Sequence, residues 1–428
     1  MASTRSRLWK WTCSSGTSSA TRSRSKTAPS SCSSSDSRHT QGPVGNLDLR
    51  QQWKYSWQDL AKEVVPTGLC TGCSGCIISC PHQVLNLNRH VWKPELAQDA
   101  WVNADERRCS YGERGCTVCA RVCPRFRLWE ADADEAKWSR HRTAEEVLGV
   151  YRAIVLVQAK DSEIADAGQD GGLGTALLLY ALENDYIDAA LVSFFDEEMR
   201  TRPGIARTRD ELLACAGSRY TYSANVLGID DANEVGAQRL GLVSVGCQTS
   251  IPPVAYGRGA RKLAKRFALV VGLLCSKTFT DDIYEDLLEA KYGIARHLVT
   301  KINIKGRLQV WHEDAGTGAP KYVEIPLKEC NEYTRPGCMH CPDFSAQHAD
   351  ISLGGIGKGA DTTLAIVRSE LGEEILAKME QDGLVTVTDA TEDDPDAIAL
   401  ILKMARRQRK RWPVEIGSIP VTPEETST

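Results

Sequence analysis

Two cysteine runs, each closed by Cys-Pro, constrain this chain more than anything else in its 428 residues. Cys70-x2-Cys73-x2-Cys76-x3-Cys80-Pro81 has the spacing in which a tight loop wraps three thiolates around one [4Fe–4S] cube and sends the fourth to another. Cys109-x6-Cys116-x2-Cys119-x3-Cys123-Pro124 ends in the same way after a longer first gap. The two-cube pattern groups Cys70, Cys73 and Cys76 with Cys123, and Cys109, Cys116 and Cys119 with Cys80. Tetrahedral zinc also takes paired Cys-x2-Cys units, but two complete runs ending in Cys-Pro favour iron–sulfur. Cysteines clustered at short gaps in a large chain point to metal rather than disulfides. Thiolates that must stay reduced until metal arrives point to a cytoplasmic compartment.

The segment around these runs, 45–140, is short of helical periodicity, so metal has to do much of its folding. It is expected to be an α+β bacterial-type two-[4Fe–4S] ferredoxin domain. Residues 1–44 are rich in Ser, Thr, Arg and Lys with Asp36 as the one acid, and are expected to be a disordered tail. They read either as a transit peptide or as upstream sequence from a misassigned start, with no role for Cys13 or Cys32. From 141 to 390 the texture changes. Apolar runs Ala153–Val157, Ala189–Phe195, Gly241–Val245 and Phe267–Leu274 alternate with helical stretches Thr175–Glu183 and Ile283–Lys291, which predicts an α/β domain around a buried sheet. Residues 391–428 hold a last amphipathic helix, Pro395 to Trp412, and a tail. The basic end of that helix, Arg406, Arg407, Arg409, Lys410 and Arg411, is expected to be solvated and to complement the helix dipole.

A formal net charge of −4 supplies no global basic field for nucleic acid. The longest apolar run, Phe267 to Cys275, is far below the roughly 20 residues of a membrane-spanning helix. The chain is therefore expected to be soluble and not membrane-spanning, with no nucleic acid as its partner.

Four further cysteines stand at Cys247 in Gly246-Cys247-Gln248-Thr249, at Cys275 after Gly272-Leu273-Leu274, and in Cys338-x2-Cys341 before Pro342-Asp343. Four thiolates from dispersed loops are enough for a third [4Fe–4S] cluster. A cysteine ending an apolar strand is also a common packed side chain, and spacing leaves both readings open. Cys215 and Cys330 fit no set. Gly171-Gly172 before a helix-forming run either presents N–H groups to a pyrophosphate or forms an ordinary tight turn. Gly354-Gly355-Ile356-Gly357-Lys358-Gly359 does not read as Gly-x-Gly-x-x-Gly between strand and helix, so a Rossmann nicotinamide site is not supported. No nucleophile–base pairing is apparent, and no catalytic side chain is assigned.

The region 150–390 resembles the beta subunit of coenzyme F-420 hydrogenase and dehydrogenase, a flavoprotein family. The resemblance rests on Gly171-Gly172-Leu173-Gly174-Thr175, Ala216-Gly217-Ser218-Arg219-Tyr220-Thr221-Tyr222-Ser223, Gly246-Cys247-Gln248-Thr249, Gly272-Leu273-Leu274-Cys275, Gly337-Cys338-Met339-His340-Cys341 and Ala349-Asp350-Ile351-Ser352-Leu353-Gly354, in the family's order. It implies FAD, a facing site for F-420 as substrate, and a cluster on Cys247, Cys275, Cys338 and Cys341. Gly171, Gly172, Thr175, Ser218, Arg219, Tyr220 and Ser223 become flavin contacts. The chain resembles those members that carry a two-cluster ferredoxin module. After Cys275, where members carry a short acidic-aromatic stretch, this chain has Ser276-Lys277-Thr278-Phe279, and Lys277 is the cation expected nearest the anionic F-420 tail.

The resemblance implies an F-420-dependent oxidoreductase module passing electrons between reduced F-420, FAD and the clusters, to or from a redox protein partner. A relative in the same superfamily reduces a hydroxymethyl group on chlorophyll, and a non-catalytic electron-transfer subunit is the other alternative. Deleting residues 1–44 is expected to leave iron and flavin content unchanged, as measured on the purified truncated chain, because that segment buries no apolar surface; loss of a cluster would make it a structural arm.

Overall fold

The computed structural model describes residues 53–103, 107–357 and 361–413. The expected tail at 1–44 lies outside them, as does the chain end from 414. A hairpin of β1 (Leu85–Asn88) and β2 (Lys93–Leu96) sits between the two cysteine runs. The next region supplies β3 (Ala153–Ala159), β4 (Ala189–Phe195), β5 (Thr201–Ala206), β6 (Leu240–Val245) and β7 (Phe267–Leu273). A separate three-stranded antiparallel sheet follows, made of β8 (Val299–Ile304), β9 (Arg307–Glu313) and β10 (Pro320–Pro326). Then β11 (Ile351–Gly354), β12 (Thr363–Val367) and β13 (Val385–Asp389) return to the first sheet.

That sheet has eight strands in the order β13-β3-β12-β11-β7-β6-β4-β5. Its middle strands β11, β7, β6 and β4 are parallel, and each flanking strand pairs antiparallel with its neighbours. The apolar runs are continuous because both faces are covered. Leu269 and Val271 of β7 pack with Leu177 and Ile375 in one core, while Val270 packs with Leu242 and Ile251 in the other. This is the alternation that a pleated strand imposes.

The cysteine-rich part shares these cores. Cys73 and Val122 pack in the core that holds Leu242 and Ile251. Helix Trp129–Trp138 lies so close to helix Ile251–Gly257 that a Cβ on Gly257 would stand 2.8 Å from the Asp132 carbonyl. Described residues on both sides of the expected boundary at 140/141 accordingly belong to one compact unit.

The final helix, Pro395–Arg409, starts with its Asp394 side chain accepting from the Ala397 N–H, as an N-cap should. Its end corrects the expectation of a solvated basic tail. Arg407 and Lys410 are exposed, but Arg409 is only 5% exposed and grips Glu130 with two bonds of 2.6 and 2.9 Å. Arg411 donates to the carbonyls of Ser276 and Cys338 at 2.6 and 3.1 Å, and Gln408 to the carbonyl of Cys275 at 3.3 Å. The charge run looks like a solvated terminus only because its partners lie far away in sequence.

Burial would raise the Glu130 carboxyl, but Arg409 and Arg142 outweigh it and hold it down to about 2. A depressed carboxylate adds stability above its ordinary value of 4.5 and loses it as pH falls towards 2. Arg409→Met is expected to cost about 3–5 kcal/mol, the range for breaking a buried pair. The measurement is the denaturation midpoint near neutral pH, and the difference from the unaltered chain should shrink through that acid window.

Candidate functional site

Strand register explains how two distant cysteines meet. Val245 of β6 pairs with Leu273 of β7, and Cys247 and Cys275 each follow two residues later, so both leave the same edge of the sheet. Leu353 of β11 pairs with Leu273 as well. The site therefore lies beyond the carboxyl ends of parallel strands, where open α/β sheets bind their ligands. One cavity at this edge is lined by Cys247, Cys275, Cys338 and Cys341 together with Thr71, Tyr222, Lys277, Thr278, Arg335 and Asp343. Burial, then the sulfurs of Cys338, Cys247 and Cys341, push the Cys275 thiol well above its usual range.

The two cysteine runs form the other sets. Cys76 is pushed up by burial and then by Cys73, Cys70 and Cys123. Cys119 is raised to about 12 by burial, Cys116 and Cys80, with Cys109 adding to it. A second cavity is lined by Cys80, Cys109, Cys116 and Cys119, with Trp57, His82 and Tyr111 among its walls. The sulfurs thus gather in the crossed grouping read from spacing. Cys247 is held at about 11 mainly by burial, and it feels Cys73. Cys76 in turn feels Cys119, so the Cys70 set stands between the other two. All fourteen described cysteines are free thiols, Cys215 and Cys330 lying apart from the three sets.

The loops are shaped to turn backbone N–H groups onto sulfur. The Gly72 N–H serves Cys70, Gly75 serves Cys73, Ala120 serves Cys119 and Arg125 serves Cys123. Gly72 has φ +64° and leaves no room for a side chain, since a Cβ would sit 2.3 Å from the Trp92 carbonyl. Between the Cys70 and Cys338 loops lie residues that the sequence pattern did not single out. Arg335 donates to the Thr278 hydroxyl at 3.3 Å and to the Thr71 carbonyl, with its guanidinium 3.6 Å from the centre of the Tyr222 ring. The Tyr222 hydroxyl is 3.6 Å from Cys247 Sγ, and the Thr278 hydroxyl is 3.6 Å from Cys338 Sγ. Arg125 donates to Cys341 Sγ at 3.0 Å. The available signal was position: Arg125 follows Cys123-Pro124, and Arg335 precedes Pro336-Gly337-Cys338.

The expected flavin residues lie towards the same edge of the sheet. Gly171 and Gly172 have φ +68° and +71° and lead into helix Leu173–Glu183. A Cβ on Gly171 would stand 2.5 Å from the Thr363 nitrogen, so packing alone demands glycine there. The Leu173 N–H is 3.4 Å from the Thr363 hydroxyl, and Thr175 sits in the same first turn, whose N–H groups lack intrahelical partners. Ser223 Oγ, Thr221 Oγ1, Asn225 Oδ1, Gln169 Nε2 and Asp170 Oδ2 are buried without a hydrogen-bond partner. Ser218 is exposed, its backbone N–H donating to Gln169. Arg219 turns inward to the carbonyls of Cys215, Ala216 and Gly217 at 2.7–2.9 Å. The Tyr220 hydroxyl donates to Asn303 at 3.1 Å. Lys277 lines the third-set cavity and donates to Asn331 at 2.5 Å.

Models of the coenzyme F-420 hydrogenase/dehydrogenase beta subunit match residues 154–229 for its N-terminal part and 237–393 for its C-terminal part. The beta subunit of coenzyme F-420 hydrogenase of Methanothermobacter thermautotrophicus is 34% identical over 270 residues, covering 62% of this chain and 94% of the relative. The chain belongs to this family. Other relatives are the coenzyme F-420-dependent sulfite reductase of Methanocaldococcus jannaschii, 31% identical over 75% of this chain and 47% of the relative, and a component of the F(420)H(2) dehydrogenase of Methanosarcina mazei, 23% identical over 81% and 91%. Among solved structures, a chain of the F-420-reducing [NiFe] hydrogenase complex from Methanosarcina barkeri matches with TM-score 0.58 and 30% identity, covering 62% of this chain and 91% of that one. This family member is thus related to F-420-linked oxidoreductase and electron-transfer subunits. Its matched spans contain Cys247, Cys275, Cys338 and Cys341, whereas the runs at 70–123 lie before them.

The approach of the two loops is testable at Gly337. A Cβ there would stand 2.4 Å from the Cys70 carbonyl and 2.8 Å from Thr71 Cα. Gly337→Ala is expected to cost about 1–3 kcal/mol through overpacking and to lower the thermal midpoint, whereas an unchanged midpoint would mean that the loops have room to part.

Proposed function

We propose that the chain is an F-420-dependent oxidoreductase module, with [4Fe–4S] clusters on all three cysteine sets, FAD on the segments at 169–175 and 218–225, and coenzyme F-420 as substrate. The observation that carries this reading is the succession of three cysteine sets leading away from the carboxyl edge of the family's sheet, with Cys247 feeling Cys73 and Cys76 in turn feeling Cys119. Among the described residues no three His, Cys, Asp or Glu side chains converge closely enough for a single metal ion. Cubes, which place a separate iron behind each thiolate, suit such wider rings. The orphaned polar atoms of Ser223, Thr221, Asn225, Gln169 and Asp170 suit a polar cofactor, since buried polar groups normally find partners.

When bound, FAD supplies the exchange between hydride and single electrons, and the clusters carry the latter. The chain's own residues bury the sulfurs, turn N–H groups and guanidiniums onto them, and position the donor. Lys277, in the wall of the third-set cavity, is the cation that would meet the anionic F-420 tail. A redox partner protein is served at the Cys80 set, where exposed His82 stacks on Tyr111 at 3.7 Å. The many free thiols fit a reducing, cytoplasmic compartment, and no helix among the described residues is long and apolar enough to cross a membrane.

Anaerobic purification should yield about twelve iron and twelve labile sulfide per chain, together with FAD. About eight of each would remove the third cluster, and zinc without sulfide would overturn the iron–sulfur reading. Stopped-flow mixing with reduced F-420 should bleach the flavin, and Lys277→Ala should raise the half-saturating F-420 concentration more at low salt than at high salt. Flavin that stays oxidised with F-420 but is reduced by NADH would leave the architecture standing and replace the coenzyme.

A further inference from the structure

Arg125 belongs to two cysteine sets at once. Its backbone N–H serves the sulfur of Cys123, while its side chain donates from Nη2 to Cys341 Sγ at 3.0 Å and from Nη1 to the Pro124 carbonyl at 2.8 Å. The side chain is 1% exposed, with its guanidinium 4.8 Å from the Trp129 ring and 5.7 Å from the Trp412 ring. Burial would lower its pKa, but Cys341, Cys247, Asp343 and Cys73 outweigh this and keep it charged. Among the described residues no carboxylate pairs with it; the Asp343 oxygens take the Gln347 N–H at 3.2 Å. A cation buried without a carboxylate is costly unless another anion is its partner.

We propose that Arg125 is that partner to the cluster on Cys247, Cys275, Cys338 and Cys341, raising its reduction potential and tying it to the cluster on Cys70, Cys73, Cys76 and Cys123. The inference rests on the iron–sulfur reading above. A four-thiolate cluster takes up one electron, and therefore one further negative charge, on reduction. A fixed guanidinium in water-excluded surroundings favours that form, by charge and by the N–H···S bond. Arg335 is also buried, at 3%, but it spends its bonds on a carbonyl and a hydroxyl rather than on sulfur. Arg125 is a positioning residue and touches no substrate.

The test uses the full chain, purified anaerobically, as the unaltered protein, Arg125→Gln and Arg125→Lys. Each is assayed for iron and titrated electrochemically with EPR detection, and Cys338→Ser identifies the third cluster's signal. Arg125→Gln is expected to keep its iron and to lose tenfold or more in the one-electron reduction equilibrium of that cluster, a downward shift of about 59 mV or more. Arg125→Lys, which keeps the charge and loses the fork, should shift it less, and the Cys80-set cluster should keep its midpoint in both. An unchanged midpoint in Arg125→Gln would overturn the proposal, as would loss of the third cluster in both variants, which would make Arg125 a folding residue. An unaltered chain without clusters would instead overturn the reading beneath it.

Discussion

The molecule is organised around sulfur held out of water. A thiolate loses its hydration on burial and is tolerated only where N–H groups, cations or metal replace that hydration. Most local oddities near the sets meet this requirement. Gly72 and Ser74 take left-handed backbone in the first loop, Gly337 lets two loops touch, and Arg125 and Arg335 lie buried among sulfurs, carbonyls and aromatic rings. The sheet's part is to end β6 and β7 in register, so that cysteines almost thirty residues apart in sequence arrive side by side.

Four of the eight strands of this sheet, β3, β4, β6 and β7, were readable, because a sheet covered on both faces needs continuous apolar runs, and Ala189–Phe195 and Phe267–Leu273 are such runs. The grouping of Cys80 with Cys109, Cys116 and Cys119 was readable too, because short spacings leave a loop few ways to fold. The gathering of Cys247, Cys275, Cys338 and Cys341 was not readable from spacing and came from the resemblance, since it depends on which strands become neighbours.

The arginines were the least legible residues. Arg409 looks like every other basic residue at a helix end, and only the arrival of Glu130, 279 positions away, distinguishes it. Arg219, expected as a flavin contact, donates from one guanidinium nitrogen to the carbonyls of its own turn. Pattern reports what a side chain can do; partners close in space and distant in sequence decide what it does.

The end of the final helix has a consequence for how the molecule is made. Gln408 and Arg411 hold the carbonyls of Cys275 and Cys338, and Trp412 sits within reach of Arg125. The eight cysteines of the two runs are made almost three hundred residues before the final helix ends, whereas the pocket of Cys247, Cys275, Cys338 and Cys341 is walled only when residues 408–412 have emerged. Assembly is thereby ordered in time: the early sets fill or wait as nascent chain, and the set nearest the sheet is sealed last.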